Sequence, residues 1–419
     1  MLRRHTWRLY HSTKINYTTF SKMTDLKNLR KEFENELTDN ILNYWIKNVY
    51  DPHRRTFLGV IDKDEKPHPD AALGVVLITR ILWTFSSAYQ LYPTAIYKKM
   101  ADEAWRILTE HFWDNENGGV YWSVFPSGLP DNDSKQFYAQ SFALYAMAEY
   151  ARIFDLRRPK ELAVSLFHLI ERYALDRENG GYREAMAKDW STRARDFITP
   201  AGKPEITKSM NTHLHIMEAY SNLYRVYPEP EVQDKVISLI DIFLNQIINP
   251  ENNHFHMFFD NAWNPVTTAV SYGHDIEGSW LLHEAAEVVH NKEALVKVVP
   301  ETLKMASAVG KEAIDPAGGL YNESDGGHWD KNFHWWPQAE AVVGFFNAWQ
   351  LSGDSAFLDK SVKAWGFIKK YQIDHTNGEW FGYVTPDYKV RPTDKVSPWK
   401  CPYHNARMCL EMIRRIDIM

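Results

Sequence analysis

The sequence predicts an all-α protein, an (α/α)6 barrel with short β-hairpins in the long loops at one end. Two observations predict this fold: a turn signal recurs six times, and the connections between helical segments alternate in length. The turn signals, which are rich in Asp, Asn, Gly and Pro, begin at residues 51, 114, 176, 250, 315 and 374 of the 419-residue chain. The units between them span about 60–70 residues each, and such a period indicates a repeated structural unit.

Each turn signal is followed by apolar or aromatic residues. The second and third signals contain Asn-Gly-Gly, at 117–119 and 179–181, and are followed by Val120 and Tyr182. Asn-Gly and Gly-Gly pairs in this setting are typical of tight β-hairpins. We therefore expect a short hairpin in each of these loops.

Twelve segments with helical periodicity separate the loops. They lie near 24–49, 70–92, 96–113, 135–155, 158–174, 207–226, 230–248, 271–290, 293–313, 334–352, 355–371 and 401–416. Short connections follow the even-numbered segments, and short connections join antiparallel neighbours. All long loops then lie at one end, where the even-numbered helices begin, and we expect these helices to form the inner ring.

The domain boundaries follow from the composition of the first residues. Residues 24–419 are expected to form one catalytic barrel domain. Residues 1–23 hold several Arg and Lys residues but no acid until Asp25, and they lack the apolar core of a secretory signal. We expect them to be a disordered extension or the product of a misread start upstream of Met23; a mitochondrial transit peptide is the alternative.

Charge and cysteine content restrict the partners and the compartment. The net charge of −6 provides no basic face, so nucleic acid is an unlikely partner. No apolar run approaches the ~20 residues of a membrane span. Cys401 and Cys409, placed on one predicted helix, would lie about 12 Å apart, too far for a disulfide, which fits a reducing cytoplasm. We expect a cytoplasmic monomer or weak homodimer.

Histidines recur where the barrel predicts the active site, at the starts of the inner helices. His215, His274 and His404 open three different even-numbered helices. His274 and Glu277 are spaced i and i+3 and share a helix face, so the carboxylate is expected to orient the imidazole. His215 shares a face with Asn211, which leaves His213 as a structural residue.

Two other kinds of site remain open at this point. His215, His274, Glu277 and His404 could make a zinc centre, but no HExxH motif is present, and we expect neither metal nor cofactor. A glycoside hydrolase would need two carboxylates across the scissile bond. The acidic residues available at this end are Asp275, Glu277, Asp325, Asp330 and Glu340.

Four segments carry a family resemblance. They are Ser271 to Trp280 (SYGHDIEGSW), Met210 to Tyr220 (MNTHLHIMEAY), His334 to Ala341 (HWWPQAEA) and Trp399 to Asn405 (WKCPYHN). In this order they resemble the cellobiose 2-epimerases of the N-acylglucosamine 2-epimerase superfamily, from about residue 24 to the C-terminus. The fold of that superfamily is an (α/α)6 barrel, in agreement with the six repeats.

The resemblance implies a role for each matching residue. His274 and His404 match the family's two histidines that act as acid and base on opposite sides of C2. His215 matches a third active-site histidine, and Glu277 matches a carboxylate that supports His274. Arg80, Tyr138 and Asn211 match family residues that make polar contacts to the reacting end of the sugar. Trp336 and Trp399 match aromatic residues that pack against the two sugar units.

The implied reaction is epimerisation at C2 of the reducing-end glucose of a β-1,4-linked disaccharide such as cellobiose, lactose or mannobiose. It requires ring opening, removal of the C2 proton and reprotonation of an enediolate. Histidine suits both proton transfers because its pKa lies near neutral pH, and Arg80 suits the oxyanion. The alternatives are a hydrolase of the same fold and an aldose–ketose isomerase, which would reprotonate the same enediolate at C1.

Overall fold

A computed structural model describes residues 19–194, 199–200, 203 and 205–419. Helix α1 begins at Thr19, four residues before Met23, so the last part of the expected extension is helical. The remainder of that extension, residues 1–18, lies outside the described residues.

The twelve expected helices are present. The inner helices are α2 (Val75–Leu91), α4 (Phe137–Phe154), α6 (Met210–Tyr224), α8 (Tyr272–Val288), α10 (Trp335–Ser352) and α12 (His404–Asp417). The outer helices are α1 (Thr19–Asn35), α3 (Ala95–Ile107), α5 (Arg157–Tyr173), α7 (Pro230–Ile242), α9 (Lys292–Glu312) and α11 (Ser355–Phe367). Wider turns of π type extend four outer helices, at Glu36–Ile41, Trp45–Val49, Leu108–Phe112, Phe243–Ile247 and Ile368–Gln372.

The packing of these helices identifies the (α/α)6 barrel. Each inner helix contacts the next inner helix in chain order, and α12 contacts α2. The inner helices are buried on all sides, as α2 is from Val75 to Ala88, whereas the outer helices bury one face. Only the outer helices therefore need the amphipathic pattern of surface helices.

Short strands surround the starts of the inner helices. In five units the strand before an inner helix pairs antiparallel with the strand after the next outer helix. These pairs are β3 (Leu73–Gly74) with β4 (Ser123–Val124), β6 (Lys135–Gln136) with β7 (Ala185–Met186), β8 (Lys208–Ser209) with β9 (Phe258–Phe259), β10 (Val270–Ser271) with β11 (Glu323–Asp325), and β13 (Phe333–His334) with β14 (Tyr383–Val384). The remaining strands are β1 (Tyr50–Asp51), β2 (Thr56–Phe57), β5 (Pro130–Asn132), β12 (His328–Asp330) and β15 (Val390–Arg391). A bridge between Ile61 and Val396 joins the first loop to the last. Because the paired strands directly precede the inner helices, these hairpins lie at the end of the barrel where those helices begin, as expected.

The fourth residue of four inner helices binds the hairpin beside it. Gln140 accepts the N–H of Val120 and donates to its carbonyl, both at 2.8 Å. His213 does the equivalent in α6, where Nε2 accepts the N–H of Tyr182 at 2.8 Å and Nδ1 donates to the carbonyl of Ser209 at 2.7 Å. These bonds satisfy buried backbone groups, and they agree with the expected structural role of His213.

Glycine is required where this hairpin approaches α6. Gly181 has φ +76°, and a Cβ atom there would lie 2.8 Å from Nε2 of His213. Both its backbone conformation and its surroundings exclude a larger residue.

One helix boundary differs from the sequence prediction in a way that matters for the site. Helix α12 begins at His404 rather than at 401, because Pro402 lacks the N–H of a helical residue and disfavours helix at Cys401. Cys401 therefore precedes the helix that carries Cys409, and both thiols are buried and free. Across the described part of the chain, every helix is too short or too polar to cross a bilayer.

Candidate active site

The hairpin end of the barrel contains a cavity of about 500 Å³. All nine residues predicted from the sequence line it. They are Arg80, Tyr138, Asn211, His215, His274, Glu277, Trp336, Trp399 and His404. The structure thus brings the predicted residues together, while their individual roles remain predictions.

The inner helices present these side chains in layers. The second residues of α4, α6 and α10 are Tyr138, Asn211 and Trp336. One helical turn deeper, the sixth residues of α2, α4, α6, α8 and α10 are Arg80, Phe142, His215, Glu277 and Glu340. Because residues four apart lie on one helix face, α4, α6 and α10 each place one residue near the rim and one a turn deeper.

His404, the first residue of α12, is held by a carboxylate. Its Nδ1 lies 2.7 Å from Oε1 of Glu340 and 3.8 Å from Oε1 of Glu277. The imidazole is 5% exposed. With Nδ1 bonded to a carboxylate, Nε2 is the ring nitrogen available to a ligand.

His215 is held in the same way. Its Nδ1 bonds Oε2 of Glu218 at 3.0 Å. The ring packs against Phe142 and Tyr138, with centroids 4.7 and 4.9 Å away. Glu218 follows three residues after His215, so this pair has the i, i+3 geometry that the sequence had indicated for a different histidine.

His274 differs from the expected arrangement. Its Nδ1 bonds Oγ of Ser271 at 2.7 Å, whereas the expected partner, Glu277, bonds Arg407. The prediction that Glu277 orients His274 through their shared helix face was wrong in its geometry, because the charge of Arg407 attracts that carboxylate.

Arg407 links the floor of the site. Nη1 donates to Glu218 and, at 2.6 Å, to the Tyr403 hydroxyl, while Nη2 donates to Glu277 and, at 2.7 Å, to Glu340. Tyr403 also donates to Glu218 at 2.7 Å. One buried guanidinium therefore joins three carboxylates, two of which bond histidines.

Three buried carboxylates surround one arginine, so the cluster has an excess of negative charge. The pKa values of the three glutamates are shifted from their ordinary values as a result. Burial, with the charge of Glu340 next, raises the pKa of Glu277 to about 8. Burial also raises the pKa of Glu340. Burial alone would raise the pKa of Glu218, but Arg407 and the bond from His215 outweigh it and lower that pKa to about 2. The cluster thus favours a protonated Glu277 at neutral pH, with its Oε1 3.8 Å from Nδ1 of His404.

The histidines themselves favour the neutral form. Burial is the main cause that lowers the pKa of His274 to about 3, and the charge of His215 is the next. Burial followed by the charges of Arg80 and Arg407 lowers the pKa of His404 well below its usual range. A neutral imidazole can accept a proton, so both rings are in the state that a general base requires.

Arg80 provides the positive charge on the side of α2. Its Nη2 donates to the Tyr138 hydroxyl at 3.0 Å, and its guanidinium packs on the rings of Phe142 and Tyr403, 4.4 and 4.9 Å from their centroids. On α6, the buried Oδ1 of Asn211, which also lines the cavity, has no hydrogen-bond partner among the described residues. The cavity is therefore lined by a cation and by a buried acceptor without a partner.

Two tryptophans form the aromatic walls. The Trp336 ring lies 4.6 Å from the ring of His274 and 5.5 Å from that of His404, so one indole packs against both imidazoles. A Cβ atom at Gly273 would lie 2.6 Å from Trp336, which explains the glycine before His274. Trp399 is 43% exposed at the mouth.

The carboxylates considered for hydrolysis have other partners. Asp275 bonds Nδ1 of His254 at 2.7 Å and the backbone N–H of Phe255 at 2.8 Å. Asp325 accepts from Thr268 and Asp330 from Asn322. Glu277 and Glu340 share Nη2 of Arg407. These bonds engage all five carboxylates with protein groups, so the geometry gives no support to an acid and base pair across a glycosidic bond.

The described residues contain one group with metal-ligand spacing, but it is not the set His215, His274, Glu277 and His404 considered above as a zinc centre. Glu277, Glu340 and His404 place ligand atoms within 4.8 Å of one another. Nη2 of Arg407 bonds both carboxylates, so the guanidinium takes the position of a cation. This arrangement is consistent with the prediction of a site without metal, which stays a prediction.

Sequence reasoning missed Arg407 and Glu218, and it considered Glu340 only as a hydrolase carboxylate. A signal for two of them exists, since Glu218 follows His215 by three residues and Arg407 follows His404 by three. Residues three apart share a helix face. Glu340 lies on a different helix from His404 and has no such signal.

Known proteins share both the sequence and the fold of this chain. The family model described as N-acylglucosamine 2-epimerase (GlcNAc 2-epimerase) matches residues 57–408. The chain is 41% identical to the cellobiose 2-epimerase of Bacteroides fragilis over 92% of its own length and 98% of the relative, and 37% identical to that of Dictyoglomus turgidum over 94% and 100%. The solved structure of cellobiose 2-epimerase from Bacillus thermoamylovorans superposes with a TM-score of 0.90 at 36% identity, covering 93% of this chain and 100% of that one.

Proposed function

Because the chain belongs to the N-acylglucosamine 2-epimerase family and is a carbohydrate epimerase, we propose that it inverts C2 of the reducing-end glucose of a β-1,4-linked disaccharide. Cellobiose and lactose, which end in glucose, are the proposed substrates, together with mannobiose, whose mannose end the same inversion would convert to glucose. One observation carries the proposal: three histidines line one cavity, and each has Nδ1 bonded to the protein and Nε2 available.

The first requirement of the reaction is an open-chain aldose. Arg80 supplies the fixed positive charge for the oxygens at C1 and C2, where charge develops when the C2 proton leaves. Tyr138, which accepts a hydrogen bond from Arg80, and Asn211 line the same cavity and suit the neighbouring hydroxyls. This end of the cavity is therefore the proposed position of the reducing sugar.

Proton transfer is assigned to His274 and His404. One neutral imidazole takes the C2 proton, and the electron pair of the broken C–H bond forms an enediolate. The other imidazole returns a proton to the opposite face of C2 and becomes neutral. The two rings are carried by different inner helices, α8 and α12, so the acid and the base can approach C2 from different sides.

A proton must be available for the second step, although both imidazoles favour the neutral form. The Glu277 and Glu340 carboxylates retain one at neutral pH and lie near Nδ1 of His404. We assign to them the supply of this proton to His404. His215, bonded to Glu218, is a third group suited to proton transfer during ring opening.

The proposal is tested by NMR of the purified protein with cellobiose in D2O. The expected result is the glucosyl-mannose epimer carrying deuterium at C2, with the glycosidic bond intact. Conversion without deuterium at C2, or release of glucose, would overturn it. The same spectra report any ketose, which would show that the enediolate is also reprotonated at C1.

A further inference from the structure

The outer wall of the cavity contains polar groups that the proposed mechanism does not use. The loop from Thr393 to Lys400 contributes Thr393, Asp394 and Ser397 as well as Trp399. These residues lie at the mouth, beyond the reacting end formed by Arg80 and Tyr138.

Asp394 is the charged member of this loop. Its side chain is exposed, and its carboxylate has no bonded partner among the residues that the structure describes. Asp387, an exposed aspartate in the turn before β15, differs, because it bonds Thr385 at 2.5 Å and Lys389 at 2.7 Å. Asp394 thus presents a carboxylate with its acceptor positions unused at the wall of a cavity.

The loop that carries Asp394 is anchored next to it. Nζ of Lys395 bonds Asp374 at 2.5 Å and the carbonyl of Gly378 at 3.1 Å, in buried surroundings. Val396 forms the bridge to Ile61. The backbone beside the carboxylate is therefore held by the barrel.

The other end of the loop is anchored as well. Nζ of Lys400 bonds Glu379 at 2.7 Å, and Oγ of Ser397 accepts the N–H groups of Trp399 and Lys400 at 3.3 and 3.0 Å. This turn presents the exposed Trp399 ring, whose centroid lies 5.8 Å from that of Tyr138. A carboxylate and an aromatic face are thus held on one rigid support next to the reacting end.

We propose that Asp394 is a specificity residue that accepts hydrogen bonds from hydroxyls of the non-reducing sugar unit while Trp399 contacts the face of that ring. A carboxylate has two acceptor oxygens and suits a pair of neighbouring hydroxyls, and its fixed position reduces the ordering cost of binding. Asp394 acts on substrate binding and not on proton transfer. This inference rests on the proposed function, because it requires a disaccharide in the cavity.

The test compares Asp394→Asn with the wild type in cellobiose epimerisation. The substitution keeps the size of the side chain and removes its charge. KM is expected to rise about 3- to 10-fold, since the lost bonds are to a charged acceptor at an exposed rim, while kcat changes by less than about twofold. Asp387→Asn is the matched control and should leave both constants unchanged.

A binding measurement separates recognition from chemistry. Reduced cellobiose, whose alditol end has no carbonyl, cannot react, so its Kd by calorimetry reports binding alone. Its Kd should rise in Asp394→Asn by the same factor as KM. An unchanged KM and Kd, or a loss confined to kcat, would overturn the inference. If the wild-type protein itself gives no epimer, the proposed function fails instead, and the calorimetric comparison still decides the role of Asp394 in binding.

Discussion

Nδ1 of His404 and Oε1 of Glu340 lie 2.7 Å apart, and the same Oε1 accepts Nη2 of Arg407 at 2.7 Å. The oxygen that orients the imidazole is thus itself held by a buried cation. This relationship joins α10 and α12 and connects the proposed proton transfer to the charge balance of the barrel floor.

Glu340→Gln should lower kcat for cellobiose epimerisation by about 10²–10³-fold. The amide keeps the shape of the side chain but removes the charge that stabilises a protonated His404. The measurement is steady-state kinetics with the epimer quantified by chromatography.

The matched control is Glu284→Gln, in a carboxylate that bonds Arg225 at 2.8 Å outside the lining of the proposed site. It should retain kcat. Equal kcat values for Glu340→Gln and the wild type would show that the carboxylate does not support His404.

Arg407→Met should lower the free energy of unfolding by about 3–5 kcal/mol at neutral pH, because it leaves buried carboxylates without their cation. Denaturant titration measures this loss. The loss should shrink as the pH falls towards 5, since Glu218, whose pKa Arg407 helps to hold at about 2, can take up a proton once that cation is gone.

Arg157→Met provides the comparison. Arg157 is 89% exposed and pairs with Glu161 on the surface, so its loss should change the free energy of unfolding by no more than about 0.5 kcal/mol. Equal stabilities for the two variants would contradict the assigned role of Arg407.

The same substitution at two histidines of α6 should have very different effects on kcat. His213→Gln should fold and retain about half of kcat or more, because Gln140 already bonds a hairpin from the equivalent position. His215→Gln should lose about 100-fold or more, because it removes a group suited to proton transfer.

Steady-state kinetics of both variants, together with their thermal unfolding, show which of the two histidines takes part in the chemistry. Loss of activity in a well-folded His213→Gln protein would assign that residue to the chemistry. Full activity in His215→Gln would remove it from the proposed site.

Stability should fall in acid partly through Glu218. Despite its burial, Arg407 and His215 lower its folded pKa to about 2, from 4.5 for an ordinary glutamate. A lowered folded pKa contributes stability that is present above the unfolded pKa and is lost as the pH falls from about 4.5 to about 2. The contribution is on the order of 3 kcal/mol.

Urea titrations at about pH 6 and about pH 3 measure this effect. The difference between the two free energies should be smaller in Glu218→Gln, which has no proton to gain. An unchanged difference would mean that other carboxylates account for the acid sensitivity.

The sequence alone determined the repeat and the set of cavity residues. Six turn signals and alternating loop lengths predict a barrel because a hairpin of two helices cannot bury its apolar face alone. The same periodicity places the starts of the inner helices at one end, which is why residues as distant as His215 and His404 could be assigned to one site. The roles of Arg80, Tyr138, Trp336 and Trp399, and the assignment of C2 and of a disaccharide, came from the resemblance.

Only the tertiary structure decided which partner each histidine has. Neighbours on one helix can be inferred from spacing, and the rule holds for His215 with Glu218 but fails for His274 with Glu277. Glu277 bonds Arg407 and Glu340 bonds His404 across helices. Such contacts depend on how the inner helices pack and on the balance of buried charges among them. Neither can be read from the spacing of residues along the chain.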